Sequence, residues 1–516
     1  MTVNTSTNTD GPSAAEVLAA APPPRVEPGA RQRIRAANAA AGRRIAVLDD
    51  DPTGSQTVHD VTVVTVFEDA EYAAGLTEPG STCFILTNTR SLPEDAAIEL
   101  NTGVAGGLFR LGENLGAHME VVSRGDSTLR GHIIAEIRAI DTARRRVTGT
   151  GFDGVLLIPA YFEAGRFTAG DIHWANVAGE LVPVGHSEFA QDATFGYSSS
   201  NLRDFIAEKT GGTITADQVH SITLHDIRLG GPERVAEILA GVTDGAFVVV
   251  NATDYADLEI VVLGLLDVED RGRCFGYRSG PSFVRALAGL EPQAPLTAQQ
   301  IWPNGNPGGH GLVVVGSHVG LTSRQVAKAQ ERGDMAETEL HVPTLIDPDR
   351  RDAHVAEIGR RVAEALATSD VLLFTSRTLL GGGDAEDSLA ISRTVSTAVT
   401  QVVQAALGAH PSWVVAKGGI TSHDVAVRGL GIRRAEVVGQ LLPGMVSVFR
   451  PVQAAPQAVG TPYVVFAGNV GDDNTLADVV DLLAGRSSAL RTSPATTRGP
   501  SRRGGTAATH QQGEQR

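Results

Sequence analysis

Short runs of β-branched and other apolar residues alternate with helical periodicity along most of this 516-residue chain. A first series of runs lies at residues 45–48, 61–67, 83–87, 119–123 and 155–158. A second series lies at residues 247–250, 312–315, 371–374, 413–415 and 463–466. Such alternation is typical of parallel sheets covered by helices. The sequence therefore predicts an α/β fold of two α/β domains with largely parallel sheets and a ligand cleft between them.

The chain is too long for one ordinary core, which favours two domains. Residues 292–311 are rich in Pro, Gly, Asn and Gln, lack periodicity and have the composition of an interdomain linker. We place an N-terminal domain at residues 41–295 and a C-terminal domain at residues 296–485. Residues 1–40 and 486–516 lack apolar periodicity, and we expect both to be disordered tails.

The charge balance excludes several classes of partner. The 43 Lys and Arg residues against 59 Asp and Glu residues give a formal charge of −16, which repels nucleic acids and anionic membranes. Cys83 and Cys274 are far apart and suggest neither a disulfide nor a zinc site. Because no signal peptide or run of about 18 apolar residues is evident, we expect a cytoplasmic protein, with homo-oligomerisation left open.

The segment LDDDPTGSQTV at residues 48–58 ends a predicted strand in three acids, Asp49, Asp50 and Asp51. In open α/β sheets the ligand crevice lies beyond the carboxyl ends of the strands. Three adjacent carboxylates repel one another unless a metal, a cation or a proton compensates their charge. The segment therefore indicates a ligand site, and the alternative is a strand end capped by acidic residues before a turn.

The segment SRGDSTLRGH at residues 123–132 follows another predicted strand. Its two arginines, Arg124 and Arg130, could each bind a carboxylate through two parallel hydrogen bonds. The intervening polar residues, Asp126, Ser127 and Thr128, could cap the next helix or hold hydroxyl groups of a substrate. A simple helix cap with solvated arginines is the alternative.

A third polar segment, at residues 159–174, places Glu163, Arg166, Asp171 and His173 in a glycine-containing loop after a strand. Long polar loops on a rigid sheet are frequent binding elements, although an ordinary surface loop fits this pattern equally well.

Three glycine-containing turns in the second half, within residues 316–330, 416–427 and 466–480, each connect a predicted strand to a helix. Glycine permits close backbone approach, and the first amides of a helix attract phosphate. Three such turns in one domain predict a polyphosphate ligand. None of them matches the Walker A spacing or the dinucleotide fingerprint.

These segments resemble the four-carbon acid sugar kinases, which act on erythronate, threonate or 3-oxo-tetronate. Residues 50–55 resemble the family pattern ADDLTGA, residues 124–131 resemble KxDSTLRG, and residues 159–166 resemble PAFPEAGR. In the second half, the turn of Gly316 and Ser317 matches the family's Gly-Ser turn. Residues 418–421 and 467–471 resemble the GGET and SGNxG loops. The resemblance runs in the family's order from about residue 45 to residue 485.

The resemblance implies ATP-dependent phosphorylation of a hydroxyl on a short sugar acid, bound by the N-terminal domain while the C-terminal domain binds the nucleotide. Position matching assigns ATP contacts to Ser317, Gly418, Gly419, Ile420, Thr421 and Gly468. Pro52, Arg124 and Ile420 replace the family's Leu, Lys and Glu, which indicates a divergent subgroup.

Phosphoryl transfer needs alignment, charge neutralisation and a hydroxyl ready to lose its proton. We expect Asp51 to be the base, Asp126 to be a second catalytic residue, and three arginines to bind the substrate carboxylate. The predicted substrate-binding set is Asp50, Thr53, Gly54, Arg124, Ser127, Thr128, Arg130, Glu163 and Arg166. Mg²⁺ is expected on the β- and γ-phosphates, with Asp50 or Asp472 as a direct or water-mediated partner.

Two other functions fit part of the sequence. Asp49, Asp51 and Thr53 match the DxDxT pattern of haloacid-dehalogenase-type phosphatases, in which Asp49 would be the nucleophile and Asp51 the acid and base. A non-catalytic sensor would bind a sugar acid and a nucleotide without reacting them. The phosphatase would release phosphate from sugar phosphates without ATP, whereas the sensor would show binding without turnover.

Overall fold

The secondary structure of this computed structural model is described for residues 13–51, 54–177, 179–305, 307–377 and 385–490. The strands within these ranges are β1 (Arg44–Asp49), β2 (Val61–Val64), β3 (Thr82–Leu86), β4 (Met119–Arg124), β5 (Gly154–Ile158), β6 (Arg166–Ala169), β7 (Ile172–Val177), β8 (Glu180–Pro183), β9 (His220–Ile222), β10 (Ala246–Val250), β11 (Phe275–Ser279), β12 (Leu312–Val315), β13 (Met335–Leu340), β14 (Asp370–Thr375), β15 (Val414–Lys417), β16 (Arg434–Leu442), β17 (Met445–Gln453) and β18 (Tyr463–Phe466).

The α-helices in the same ranges are α1 (Ala14–Ala20), α2 (Ala30–Ala40), α3 (Asp69–Gly75), α4 (Glu94–Leu115), α5 (Ile133–Thr148), α6 (Leu202–Lys209), α7 (Gly231–Ala240), α8 (Tyr255–Glu269), α9 (Pro281–Leu287), α10 (Ala298–Ile301), α11 (Gly320–Arg332), α12 (Val342–Ile346), α13 (Pro348–Ala365), α14 (Ala385–Ala406), α15 (Gly419–Asp424) and α16 (Thr475–Leu483).

Fifteen of the strands form one sheet, in the order β13-β14-β12-β15-β18-β17-β16-β2-β3-β1-β4-β11-β5-β10-β9. The five strands up to β18 are parallel to one another, as are the eight strands from β2 onward. The antiparallel hairpin β16–β17 joins these two blocks, because β16 pairs with β2 and β17 pairs with β18. The predicted α/β class and its largely parallel pairing are confirmed, while the two expected sheets are continuous.

The central strands are buried along their whole length, as in β1, β3, β5, β12 and β18. Parallel strands covered by helices on both faces read as continuous apolar runs rather than as alternating patterns. This burial explains why the runs are visible in the sequence. Covering helices such as α5 and α13 present apolar residues to the sheet and charged residues to solvent.

Strand register brings the polar strand ends together. Asp49 at the end of β1 pairs with Leu86 and with Arg124, and Arg124 pairs in turn with Ser279. In the other block, Lys417 at the end of β15 pairs with Val315 and Phe466. The segments that follow these strands therefore lie side by side, as expected at the carboxyl edge of a parallel sheet.

The segment before β1 differs from the expected disordered tail. Residues 30–40 form α2, in which Ile34 is fully buried and Asn38 donates a hydrogen bond of 2.8 Å to the Leu287 carbonyl. Arg31 forms ion pairs with Glu259 at 2.7 Å and Glu291 at 2.9 Å. These partners lie more than 200 residues away in sequence, so the alanine-rich segment itself gives little sign of them.

Part of the C-terminal tail is also anchored, because Arg486 pairs with Asp370 at 2.9 Å. The predicted tails at residues 1–12 and 491–516 lie outside the described residues. Within the described ranges, no helix combines the length and the apolar character that crossing a bilayer requires.

Candidate active site

A cavity of about 270 Å³ lies at the carboxyl ends of strands from both blocks. We call it the arginine cavity, because its charged lining consists of Arg90, Arg124, Arg130, Arg166, Asp51 and Asp126. The second block contributes the hairpin residue Met445 and the loop residues Ala467, Asn469 and Val470. The cavity is thus built from both halves of the chain.

The three consecutive acids after β1 have different environments. Asp49 and Asp50 are buried, with 0% and 1% of their surfaces exposed, whereas the side chain of Asp51 is 27% exposed and lines the arginine cavity. Asp49 is the last residue of β1, whereas Asp50 and Asp51 lie in the bend that follows it, so the three side chains meet different partners. Of the three, Asp51 is the carboxylate that a ligand in the cavity could contact.

Asp49 is covered by protein. Its Oδ1 accepts a hydrogen bond of 2.9 Å from Nη1 of Arg124, and burial raises the pKa of Asp49 to about 7. A Cβ atom on Gly54 would lie 1.6 Å from Asp49 Oδ2, so the glycine backbone occupies the space directly over this carboxylate. Gly54 therefore serves close packing and is not part of the cavity lining. Thr53, also predicted to bind substrate, lies outside the described residues.

Asp50 is held by two arginines, with Arg278 Nη2 at 3.2 Å and Arg90 Nη2 at 3.5 Å from its carboxylate oxygens. Burial raises the pKa of Asp50, and the two guanidinium groups oppose that shift. Asp50 was predicted to contact substrate, but the structure places it beneath the cavity, where it supports Arg90.

Arg90 follows β3 and connects the acidic segments. Its guanidinium pairs with Asp51, lies 3.5 Å from Asp50 and lies 3.8 Å from Asp126. It supplies the positive charge that three neighbouring carboxylates require. The sequence interpretation missed Arg90, although a polar residue just after a predicted strand is the same signal that identified Asp51.

Asp126 is the centre of a hydrogen-bonded group. Its Oδ2 accepts hydrogen bonds from Arg130 Nε at 2.7 Å and from the Thr128 hydroxyl. Burial alone would raise the pKa of Asp126, but Arg90 and Arg130 hold it well below its usual range. Asp126 and Arg130 line the cavity, while Thr128 is buried and orients Asp126.

Arg166 is the cavity arginine without an ion pair to any carboxylate of the described residues. Its Nη1 donates a hydrogen bond of 2.7 Å to the Ser127 hydroxyl, and burial lowers its pKa. The Nε atoms of Arg166 and Arg124 are both buried without a hydrogen-bond partner. The fold therefore leaves these two N–H groups without a hydrogen-bond partner.

In the loop at residues 159–166, some of the predicted residues line the cavity and others contact neighbouring parts of the fold. Tyr161, Ala164 and Arg166 line the cavity, and the Tyr161 hydroxyl donates a hydrogen bond of 2.5 Å to the Gly444 carbonyl in the hairpin turn. Glu163 is not part of the described cavity lining. Its carboxylate accepts a hydrogen bond of 2.7 Å from the Tyr255 hydroxyl, so in this structure it joins elements of the fold.

A second cavity, of about 330 Å³, lies at the carboxyl edge of the β12–β15 pair. We call it the glycine cavity, and its lining includes five of the predicted nucleotide contacts, namely Ser317, Gly418, Gly419, Ile420 and Thr421. Its opposite wall is mainly apolar and comes from Val342 and the α14 residues Ile391, Val395 and Val399, with Ser392 and Ser396 between them. The sequence interpretation missed that wall, because nothing local relates a helix face to a distant loop.

The glycine turns pack closely against one another. A Cβ on Gly316 would lie 2.3 Å from the Thr421 hydroxyl oxygen, and a Cβ on Gly468 would lie 2.6 Å from the Ser317 hydroxyl oxygen. Gly418 adopts φ 122°, a region that side chains disfavour. Gly468, the sixth predicted contact, therefore packs on Ser317 and is not itself among the lining residues.

The two cavities share the loop after β18. Ala467, Asn469 and Val470 line the arginine cavity, while Gly468 of the same loop contacts Ser317 of the glycine cavity. In α15, burial lowers the pKa of His423, and the charge of Asp51 is among the groups that oppose this shift. The acidic strand end and the glycine turns, predicted from separate halves of the sequence, thus lie together.

The proposed Mg²⁺ partners have other contacts. Asp50 is paired with arginines, and Asp472 Oδ1 accepts hydrogen bonds from Asn474 N at 3.0 Å and Thr475 Oγ1 at 2.9 Å. In the described part of the chain, no three His, Cys, Asp or Glu residues are grouped so that they could hold a metal ion. The side chains of the described residues therefore do not form a metal site of their own.

Two family models match the chain in order. One is described as a sugar-binding N-terminal domain and matches residues 45–287, and the other is described as a nucleotide-binding C-terminal domain and matches residues 312–476. A curated protein named D-erythronate kinase, from Heliobacterium modesticaldum, is 26% identical over 254 residues. That alignment covers 48% of this chain and 51% of the relative, so it spans about half the relative's length.

Solved structures share the fold. A Salmonella typhimurium LT2 protein described as a proposed tRNA synthase superposes with a TM-score of 0.63 at 17% identity, covering 84% of this chain and 98% of that chain. Haemophilus influenzae protein HI1011 superposes with a TM-score of 0.58 at 16% identity, covering 83% and 97%. At these identities the likeness shows the fold alone. The ordered pair of matched domains shows that the chain belongs to the four-carbon acid sugar kinase family.

Proposed function

We propose that this protein is an ATP-dependent kinase that phosphorylates a hydroxyl of a short sugar acid in the arginine cavity. The observation that carries the proposal is the loop at residues 467–470, which borders the arginine cavity and contacts Ser317 of the glycine cavity. An acceptor and a phosphoryl donor bound in these two cavities would therefore be neighbours. The likeness to a D-erythronate kinase over half of that relative supports the same reaction class.

Arg166, assisted by Arg124 and Arg130, binds the substrate carboxylate. Arg166 has no carboxylate partner among the described residues, and both Arg166 and Arg124 keep a buried N–H group unpaired. A planar guanidinium matches a carboxylate with two parallel hydrogen bonds. An anionic substrate in the cavity would give Arg166 the ion pair that it lacks among the described residues, with Ser127 available to a substrate hydroxyl.

Asp51 accepts the proton of the attacking hydroxyl. It is the partly exposed acid of the three, and its ion pair with Arg90 orients its carboxylate at the cavity wall. Asp126 remains ionised and holds Arg90 and Arg130 in place. Most of the rate enhancement comes from aligning two bound substrates, which can contribute about 7–11 kcal/mol.

ATP binds in the glycine cavity, with its phosphates near Ser317, Gly418, Gly419 and Thr421 and its base against the apolar wall from α12 and α14. Residues 41–295 then act as the sugar-acid domain and residues 296–485 as the nucleotide domain. When bound, Mg²⁺ would neutralise phosphate charge, held mainly by the nucleotide and water. Cytoplasmic location and homo-oligomerisation remain predictions.

The phosphatase alternative is disfavoured by the burial of Asp49, its proposed nucleophile. That carboxylate is 0% exposed and covered by Gly54, whereas a nucleophile must reach the substrate. The sensor alternative differs from the kinase only in the absence of turnover.

A screen for ADP release over four- to six-carbon aldonic and keto acids, with ATP and Mg²⁺, tests the proposal. Asp51→Asn should lower kcat by about 100-fold or more while ATP affinity is retained, and the exposed control Asp95→Asn should leave kcat unchanged. Phosphate release from sugar phosphates without ATP, abolished by Asp49→Asn, would establish the phosphatase instead. Binding of both ligands without turnover would establish the sensor.

A further inference from the structure

The loop at residues 467–471, which lies between the two cavities, belongs to neither a helix nor a strand. Ala467, Asn469 and Val470 line the arginine cavity, and Gly468 contacts Ser317 of the glycine cavity. In the described part of the chain, none of the amide or carbonyl groups of this loop takes part in a backbone–backbone hydrogen bond. Side chains therefore have to fix its position.

Three fully buried side chains donate hydrogen bonds to the carbonyl groups of this loop. One comes from the end of β15 and two come from α11. The bonds are Lys417 Nζ to Ala467 O at 2.7 Å, Thr322 Oγ1 to Gly468 O at 2.8 Å, and Gln325 Nε2 to Val470 O at 3.0 Å. Because β15 leads into the turn at Gly418 and α11 follows the turn at Ser317, these bonds connect the loop to the glycine cavity.

Lys417 is the charged member of this group, and the core does not require its charge. Its side chain is fully buried, and among the described residues no carboxylate pairs with it. A buried charge without a counter-ion has a free-energy cost that an apolar side chain of similar size does not have. Fold stability therefore does not account for the ammonium group, and its hydrogen bond goes to the loop between the cavities.

The position of this loop affects how two bound substrates would meet. An acceptor in the arginine cavity and a phosphoryl donor in the glycine cavity would lie on either side of it. Transfer requires the reacting atoms to be aligned about 3–3.5 Å apart, and a displacement of about 1 Å can lower the rate by about 100-fold. A side chain that fixes Ala467 can therefore influence alignment without touching either substrate.

We propose that Lys417 is a positioning residue that holds the loop at residues 467–470 in place between the two substrates, while Gln325 acts on the same loop from α11. This inference rests on the proposed function and adds a group that acts on alignment alone, because Lys417 lines neither cavity. The competing explanation is that Lys417 only stabilises the fold. Removal of a structural lysine would lower stability, whereas removal of a positioning lysine lowers kcat in a protein that is at least as stable.

The first test compares Lys417→Met with the wild-type protein near neutral pH. Methionine keeps an apolar side chain but removes the charge and the N–H donors. We expect kcat to fall by about 100-fold, while the Kd for ATP and the KM for the acid stay within about threefold of wild type. The melting temperature should equal or exceed that of wild type, because the buried charge is gone. A kcat within threefold of wild type, a rise in KM alone, or a loss of kcat together with a lower melting temperature would overturn the proposal.

Gln325→Met removes a donor to the same loop from a different element. It should lower kcat in the same way, and the losses should not multiply in the double variant, because both side chains act through one loop. Losses that multiply would show that Lys417 and Gln325 act independently and would overturn the shared role.

Thr400→Val is the matched control. Thr400 is buried on α14, lines neither cavity, and donates a hydrogen bond of 2.8 Å to the Thr397 carbonyl of its own helix. This variant should keep the wild-type kcat and KM. A comparable fall in its kcat would show that the rate responds to the loss of any buried hydrogen bond in this half of the chain, and would overturn the assignment to Lys417.

Crystal structures of the wild-type protein and Lys417→Met separate failure of this inference from failure of the proposed function. In the variant the loop at residues 467–470 should shift by about 1 Å or more, a displacement that alignment does not tolerate. An unchanged loop would overturn the role of Lys417 even if the protein is a kinase. A shifted loop, in a protein whose wild type releases no ADP with any acid, would overturn the proposed function and leave Lys417 as the residue that holds the loop.

Discussion

Arg90 shows how one residue can support several others. It touches Asp50, Asp51 and Asp126, which belong to two different segments of the chain. Removing one member of a buried ion-pair group leaves the remaining charges uncompensated. Arg90 therefore acts as a positioning residue for the proposed base, while its own head group reaches the cavity.

We predict that Arg90→Gln lowers kcat by about 100-fold, because Asp51 loses the partner that orients it. The KM for ATP should change little, since Arg90 does not line the glycine cavity. Arg90→Lys keeps the charge but not the forked geometry and should recover part of the rate. Steady-state kinetics with a melting curve for each variant checks this, and a kcat of Arg90→Gln within threefold of wild type would contradict it.

Lys417 is a fully buried lysine at the end of β15. Its Nζ donates a hydrogen bond of 2.7 Å to the Ala467 carbonyl and lies 3.6 Å from the centroid of the Phe466 ring. Burial lowers the pKa of Lys417 from 10.5 to about 7. Between these two pH values the unfolded chain binds more protons at this site than the folded chain, so stability rises with pH.

Lys417→Met should remove this dependence. From pH 7 to pH 10, the unfolding free energy of the wild-type protein should increase by several kcal/mol relative to that of the variant. Urea unfolding at intervals of one pH unit measures it. Lys328→Met, at an exposed position on α11, is the control. Its unfolding free energy should change with pH in parallel with that of the wild-type protein. Parallel curves for Lys417→Met would show that the lysine does not titrate in this window.

At the scale of the element, α4 contains glycines with different surroundings. A Cβ on Gly103 would meet no atom within 4 Å, whereas one on Gly112 would lie 2.9 Å from the Met119 Cβ. Glycine inside a helix costs about 1 kcal/mol relative to alanine. The same substitution should therefore have opposite effects at the two positions.

We predict that Gly103→Ala stabilises the protein by about 0.5–1 kcal/mol through helix propensity. Gly112→Ala should destabilise it by about 1–3 kcal/mol, because the new methyl group overlaps the start of β4. Urea unfolding of the two variants beside wild type decides the matter. Effects of the same sign would contradict this account of the helix.

The whole molecule is joined by the hairpin β16–β17. Arg434 on β16 forms an ion pair of 2.6 Å with Glu71 on α3, and the Ser55 hydroxyl lies 3.4 Å from that of Ser447. Together with the β2–β16 pairing and the Tyr161–Gly444 hydrogen bond, these contacts couple the two blocks. Neither block can unfold without exposing a strand edge of the other.

Calorimetry should therefore show one unfolding transition rather than two, and ATP should shift all of it to higher temperature, because a ligand stabilises the whole cooperative unit that binds it. If calorimetry shows two transitions and ATP raises the midpoint temperature of only one of them, the blocks unfold independently.

The local part of the architecture could be predicted. The buried runs of β1, β3, β5, β12 and β18 stand where the apolar pattern predicts them, because parallel strands are apolar on both faces. The hairpin β16–β17 was missed, although the Pro443–Gly444 dipeptide between two apolar runs is a recognised turn signal. The site-bearing segments were found because polar residues directly after such runs stand out locally.

What the sequence determined alone is therefore the set of strands, the glycine turns and the acidic and arginine-bearing strand ends, since each depends on neighbouring residues. Only the tertiary structure decided that Asp51 lines the cavity while Asp49 and Asp50 do not, that Arg90 joins them, and that the loop at residues 467–470 borders both cavities. These arrangements depend on strand order and on the hairpin that joins the blocks. Strand order is set by packing between segments far apart in the chain, which no local pattern encodes.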